Sequence, residues 1–184
     1  PDPSVTSSGA ARAASRPTLF ARLIKIEHSV YALPFAYAGA FLAAGGWPTA
    51  GQVIWITVAM VGARSAAMAL NRLIDAGIDA RNPRTAGREL PAGRLGRREV
   101  AVFTLVSVAL LVIAAFNLSE PCRYLWPIPL AAFVVYPYTK RFTWFCHYFL
   151  GLTLGLAPAA AWVAVTGSVT LEAWLLFFAV GVWV

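Results

Sequence analysis

The stretch "VIWITVAMVGARSAAMAL", residues 53–70, most limits what this chain can become, because its only charge is Arg64. A helix crosses the hydrocarbon of a bilayer with about 20 predominantly apolar residues. The run continues without a turn signal into "NRLIDAGIDA" and reads as one helix over about 53–80. Five further apolar segments share its character. They cover about 19–44, with Pro34 as an expected kink, 98–117, 124–139, 143–166, and a last one from near 171 that is cut at Val184. The fourth is short and holds Pro127, Pro129 and Pro137. Turn residues separate the segments: "GGWPTAG" at 45–51, "NLSEP" at 117–121 and "TGS" at 166–168. Composition agrees, with 59% hydrophobic and 12% charged residues, about half the charged fraction of an average soluble domain. The predicted fold class is all-α, a multi-pass transmembrane bundle of about six helices. Residues 1–17, small, polar and proline-bearing, are expected to be a disordered tail.

The formal charge is +7, from 15 Lys+Arg against 8 Asp+Glu. With this many apolar spans the cations are read as setting membrane orientation, and no nucleic-acid partner is expected. Arg12, Arg16, Arg22 and Lys25 precede or open the first segment. Arg81, Arg84, Arg88, Arg94, Arg97 and Arg98 lie between the second and third, and Lys140 and Arg141 between the fourth and fifth. The opposite connectors offer only Arg123. The positive-inside rule then places the N-terminus and the 81–98 loop in the cytoplasm. Cys122 and Cys146 form no CxxC pair and no disulfide framework.

Asn71, Asp75 and Asp79 are spaced four apart, which confines them to an arc of about 80° on one helix face. Two carboxylates and an amide in such a row suit Mg²⁺, which takes one or two carboxylates and completes its shell with water and phosphate oxygens. A helix entering the hydrocarbon near Val53 leaves it near Arg72, so both aspartates fall at or just past the boundary. The plainer alternative is two solvated charges at a helix end, where the macrodipole disfavours anions.

Arg64 lies about 16 Å into the same span and shares the face of Asn71 and Asp75. A charge at that depth costs on the order of 2.5–3.5 kcal/mol. Either the face lines a polar cavity or Arg64 is capped by backbone carbonyls. The loop "RNPRTAGRELPAGR" presents Arg81, Arg84, Arg88 and Arg94 on a backbone constrained by Pro83, Pro91 and Gly93, and arginine forks match phosphate or carboxylate oxygens. Orientation alone would account for the arginines but has no need of the prolines and glycines. "YPYTKR", 136–141, brings Tyr136, Tyr138, Lys140 and Arg141 to the same face, as anion ligands or as interfacial anchors. His28 and His147 fall near interfaces, and no Ser/His/Asp set, phosphate-binding glycine loop or His/Cys metal set is found.

"NRLIDAGIDARNPRTAGRELPAGRL" closely resembles the first aspartate-rich motif of the UbiA family of intramembrane aromatic prenyltransferases. Asn71, Asp75 and Asp79 occupy its Asn-x3-Asp-x3-Asp positions, and Arg84 and Thr85 match its loop. "YPYTKR" resembles the family's segment after its fourth helix, and "RLIKIEHSVYALPFAYAG" its first helix. The matches spread over most of 19–166 and lie nearest the 4-hydroxybenzoate polyprenyltransferase branch. The resemblance implies nine transmembrane helices around a central cavity and a second aspartate-rich motif after helix six. Residues 18–184 are therefore expected to be the N-terminal part of such a domain, cut before that motif and inactive on their own.

The resemblance also implies a reaction. A polyprenyl group passes from polyprenyl diphosphate to an aromatic acid such as 4-hydroxybenzoate, in quinone biosynthesis, in a bacterial inner membrane. Asp75, Asp79 and Asn71 are the implied Mg²⁺ ligands, and Asp75, Asp79 and Arg141 the implied catalytic set. Asn71, Arg84, Arg88, Tyr138, Lys140 and Arg64 are the substrate-binding candidates. A naphthoate acceptor in menaquinone biosynthesis is the alternative within the family. A transporter with a polar intramembrane pathway is the alternative outside it. CDP-alcohol phosphotransferases need Asp-Gly-x2-Ala-Arg before a Gly-x3-Asp-x3-Asp, and Asp79-Ala80-Arg81 lacks that context.

Overall fold

The computed structural model describes residues 15–142 and 146–183; the side chains of 26–31, 140, 142 and 146 lie outside the described residues. Every regular element among them is helical. In chain order these are α1 (Arg16–Ile24), α2 (Ile26–Ala44), α3 (Ala50–Arg81), α4 (Arg97–Asn117), α5 (Cys122–Leu125), α6 (Pro127–Phe142), α7 (Cys146–Thr166) and α8 (Leu171–Trp183).

The central element is α3. Its start is fixed by a reciprocal cap: Gln52 N–H donates to Thr49 Oγ1 at 3.2 Å, and Thr49 N–H donates to Gln52 Oε1 at 2.9 Å. It ends at Asn82, whose extended backbone (φ −100°, ψ 117°) is what a residue before proline must adopt. The 32 residues between span about 48 Å, well beyond roughly 30 Å of hydrocarbon. Of the described helices, α3, α4 and residues 147–166 of α7 are long and apolar enough to cross a membrane; Ala32–Ala44 and Leu171–Trp183 are shorter apolar helices.

Packing follows membrane rules. On α4 the inner face is Val100, Thr104, Ser107, Leu111 and Ala114, while Val102, Leu105, Val106, Ile113 and Phe116 are exposed. That outward apolar stripe is what lipid solvates. The buried hydroxyls of Thr104 and Ser107 each donate to a carbonyl one turn back at 2.8 Å. Small residues let helix backbones touch. A Cβ on Gly62 would lie 2.8 Å from the α4 backbone at Ser107 and Leu111. One on Gly155 would collide with the Phe177 carbonyl, and one on Gly39 with the Pro158 carbonyl, which seats α8 and α2 on α7.

The cationic connectors meet at one end, as the charge pattern predicts. Arg16 pairs with Glu99 at 2.9 Å, joining the starts of α1 and α4. Arg141, at the end of α6, donates to the Ile74 carbonyl of α3 at 3.0 Å. At the other end Ser119 donates to the Val163 carbonyl at 2.7 Å.

Three expectations change. The first segment is two helices, and its break lies at Lys25, in the left-handed region (φ 48°), with Pro34 inside α2. The physical reason is burial. Leu19 and Leu23 of α1 pack with Ala69, Leu90, Leu95 and Val100, and Phe20 stacks on Phe103 at 4.9 Å, so α1 clasps the α3–α4 end before the chain turns into α2. The fourth segment is also two helices, α5 and the 16-residue α6, and does not reach span length. Of the expected tail 1–17, residues 1–14 lie outside the described residues, and Arg16 and Pro17 already belong to α1, Pro17 suiting a first turn that has no N–H to lose.

Candidate active site

The loop after α3 is built to hold its arginines in place. Asn82 Oδ1 accepts the Arg84 N–H at 3.0 Å, and Thr85 Oγ1 donates to the Asp79 carbonyl at 2.9 Å. Turns from Thr85 to Asn82, Arg88 to Thr85 and Ala92 to Arg88 (2.9–3.0 Å) carry the chain round. Gly93 takes φ 69°, which its lack of a side chain allows. Leu90 and Leu95 fasten the loop to the cluster that holds α1. The prolines and glycines thus fix a folded loop with the arginines on its face.

A polar cavity of about 470 Å³ lies between this loop and the ends of α3 and α6. Its lining includes Asp75, Asp79, Asn82, Arg84, Arg88 and Arg141. Arg88 Nη1 lies 2.7 Å from Asp79 Oδ2. Arg141 Nη2 lies 3.3 Å from Asp75 Oδ1, and its guanidinium sits over the Tyr138 ring, 4.9 Å from the centroid. The carboxylate side chains are 3% (Asp75) and 11% (Asp79) exposed, the two arginines 28–34%. Arg84, exposed, takes part in no ion pair among the described residues.

A second cavity, about 620 Å³, opens beside the same helix and is almost wholly apolar. Arg64 and Asn71 of α3 line it, with Trp126, Phe133, Tyr136 and Phe177 among its walls. Arg64 is the only charged residue among the described residues lining it.

The structure therefore divides the candidates. Asp75, Asp79, Arg84, Arg88 and Arg141 share the polar cavity. Arg64 and Asn71 line the apolar one, so Asn71 is one turn inward of the carboxylates it was expected to join. Tyr138 supports Arg141 from outside the lining. The Lys140 side chain and His28 lie outside the described residues.

The sequence reading missed Arg72. It is 7% exposed, its Nε has no hydrogen-bond partner among the described residues, and Asp75, Asp79, Glu89 and Arg88 are the charges around it. Its neighbour Asn71 belongs to the cavity face while Arg72 points to the side covered by the loop, which the helix pattern alone does not signal. The aromatic wall was equally invisible, since it comes from α6, α8 and the residue between α5 and α6.

Two carboxylates facing one cavity fit a hard divalent cation, and among the described residues no cluster of three or more His, Cys, Asp or Glu exists. The remaining coordination positions would fall to water and phosphate oxygens, as Mg²⁺ prefers.

Fold and site together define an integral membrane helical bundle in which a charged, arginine-lined rim adjoins an apolar chamber. The chain belongs to the UbiA prenyltransferase family, whose model matches residues 32–184. It is 29% identical over 163 residues to the 4-hydroxybenzoate octaprenyltransferase of Actinobacillus pleuropneumoniae serotype 3 (strain JL03), covering 87% of this chain and 56% of that one. It is 34% identical over 143 residues to the enzyme of the same name from Tolumonas auensis (strain DSM 9187 / NBRC 110442 / TA 4), covering 78% and 50%. A solved UbiA homolog from Aeropyrum pernix K1 is 36% identical, with a TM-score of 0.78 over 86% of this chain and 60% of that one. Digeranylgeranylglyceryl phosphate synthase, 15% identical, shares the fold at a TM-score of 0.80 over 90% and 58%. The chain spans about half the length of the curated relatives it matches.

Proposed function

We propose that the protein contributes to Mg²⁺-dependent transfer of a polyprenyl group from polyprenyl diphosphate to an aromatic acid such as 4-hydroxybenzoate. One observation carries the reading: α3 presents two arginine-paired aspartates to a polar cavity and, one turn inward, lines an apolar chamber. A lipid with an anionic head has the same two-part chemistry. That two relatives are 4-hydroxybenzoate octaprenyltransferases supports the choice of acceptor and of a prenyl donor.

In this reading Asp75 and Asp79 hold the cation, with Asn71 as a further oxygen donor from the chamber side. When bound, the cation neutralises charge on the departing diphosphate. Arg84, Arg88 and Arg141 take the phosphate oxygens, the last two by exchanging a carboxylate for a phosphate partner. The apolar chamber holds the tail and keeps water from the carbon that becomes electron-poor as its bond to oxygen breaks. The faces of Trp126, Phe133, Tyr136 and Phe177 suit that carbon by cation–π attraction. The acceptor ring then forms the new carbon–carbon bond and loses a proton.

Membranes containing the full-length protein, supplied with Mg²⁺, polyprenyl diphosphate and labelled 4-hydroxybenzoate, are expected to yield an organic-extractable prenylated acid and free diphosphate. Chelation by EDTA stops both. A transporter would redistribute label without forming product, and that result would overturn the reading.

A further inference from the structure

Two rim arginines can change partners, because Arg88 and Arg141 line the polar cavity beside Asp79 and Asp75. Arg72 is placed differently. It is 7% exposed and lines neither cavity, so its guanidinium is turned away from an incoming anion. The charges around it among the described residues are Arg88, Asp79, Glu89 and Asp75. Helix geometry fits this company. Asp75 is three residues on and Asp79 seven, so both fall within about 60° of Arg72 around α3. On its other flank, Ala69, Leu73 and Ala76 turn toward the cluster that Leu90 and Leu95 of the loop share with α1. Arg72 thus stands at the seam between the aspartate row and the packed base of the loop.

Among the described residues no ion pair ties Arg72 to a single carboxylate. It acts on all three acids through an interior where charges are weakly screened. Of the three, Glu89 belongs to the loop. It follows Arg88 directly, and its carbonyl accepts the N–H groups of Arg94 and Leu95 at 2.9 and 3.1 Å, so its place sets the place of the turn. We infer that Arg72 is a positioning residue, a fixed counter-charge beneath the rim that holds the two aspartates and, through Glu89, the arginine-bearing loop in register with the polar cavity. When Arg88 and Arg141 turn to phosphate, Arg72 stays behind with the carboxylates. The inference rests on the reading of this rim as a diphosphate site.

The test titrates inorganic pyrophosphate with Mg²⁺ against the full-length protein in detergent, reading binding by calorimetry and folding by melting temperature. Unmodified protein is expected to bind. Arg72→Met should weaken binding at least about tenfold, the scale for loss of a group that orients ligating side chains, and Arg72→Lys, which keeps the charge, should recover most of that loss. Glu89→Gln supplies the sharper sign. If charge alone mattered, removing an acid near an anion site would tighten binding. The positioning role instead predicts binding at least about threefold weaker and earlier protease cleavage within loop 82–96. Pyrophosphate binding within about twofold of normal in folded Arg72→Met overturns the assignment, and so does an Arg72→Lys that binds no better than Arg72→Met. Should Arg72→Met not fold, Glu89→Gln decides alone, and unchanged or tighter binding there overturns the assignment. Unmodified protein that binds no pyrophosphate overturns the diphosphate reading of the rim and the assignment together. Failure to make prenylated 4-hydroxybenzoate while the pyrophosphate pattern holds overturns the transfer reading and upholds the role of Arg72.

Discussion

At the residue scale, the two aspartates illustrate how burial and partnership set function. Each is nearly enclosed, and each faces an arginine across 3.3 Å or less. Substituting asparagine keeps the shape and removes the charge. Asp75→Asn and Asp79→Asn are each expected to lower Mg²⁺-dependent transfer by at least about 100-fold, the scale for loss of one group that stabilises developing charge, while the protein still inserts into membranes. Undiminished turnover in either variant would remove the cation-binding role. Arg88→Ala should raise KM for polyprenyl diphosphate about tenfold, equal to about 1.4 kcal/mol, and an unchanged KM would take Arg88 out of phosphate binding. The aspartate row was legible because three oxygen-bearing side chains at four-residue spacing share one side of a helix whatever surrounds it. The arginine partners were not assigned to particular aspartates, because that pairing depends on how loop 82–96 folds back and where α6 ends. Arg72 was passed over for the same reason, since its burial is created by that loop.

At the element scale, α1 and loop 82–96 form one unit with the ends of α3 and α4. Leu23, 1% exposed, sits in the cluster that fastens the loop. Leu23→Ala is expected to cost on the order of 2–5 kcal/mol and to expose the loop to protease before the rest of the bundle. A cleavage pattern matching the unmodified protein would show that the loop holds without α1. The α7–α8 seam makes a separate prediction. Gly155→Leu drives a side chain into the Phe177 carbonyl, so α8 must move off α7; the expected loss is about 1–3 kcal/mol, read as a lower melting temperature in detergent. Helix positions were largely readable from apolar run length and from turn residues. The break at Lys25 was not. A lysine carries no signature of left-handed backbone, and Pro34 drew attention to the wrong turn of the helix. The division of α5 from α6 likewise reflects three prolines whose joint effect depends on what they pack against.

At the scale of the whole molecule, the bundle gathers its cationic connectors at one end and leaves apolar helix faces around its waist. Sidedness follows as an expectation from charge. With Cys122 and Cys146 replaced, a cysteine at Ala92 should react with an impermeant thiol reagent only from the cytoplasmic side, and one at Gly46 only from the opposite side. The reverse pattern would invert the orientation. The all-helical membrane class was written in the hydropathy, but the chamber was not, because its walls come from segments far apart in the chain. One consequence of the uninterrupted α3 rod concerns spacing. A single rigid element carries both the inner guanidinium and the outer carboxylates, so the helical screw acts as a ruler between them. Adding one residue between Arg64 and Asp75 would swing the outer groups through about 100° while lengthening the gap by only about 1.5 Å. Adding seven would nearly restore the direction but push the two stations about 10 Å further apart. The separation between the inner guanidinium and the outer carboxylates is thus set by a count of residues, and natural length changes should fall in the loops before they fall in this interval.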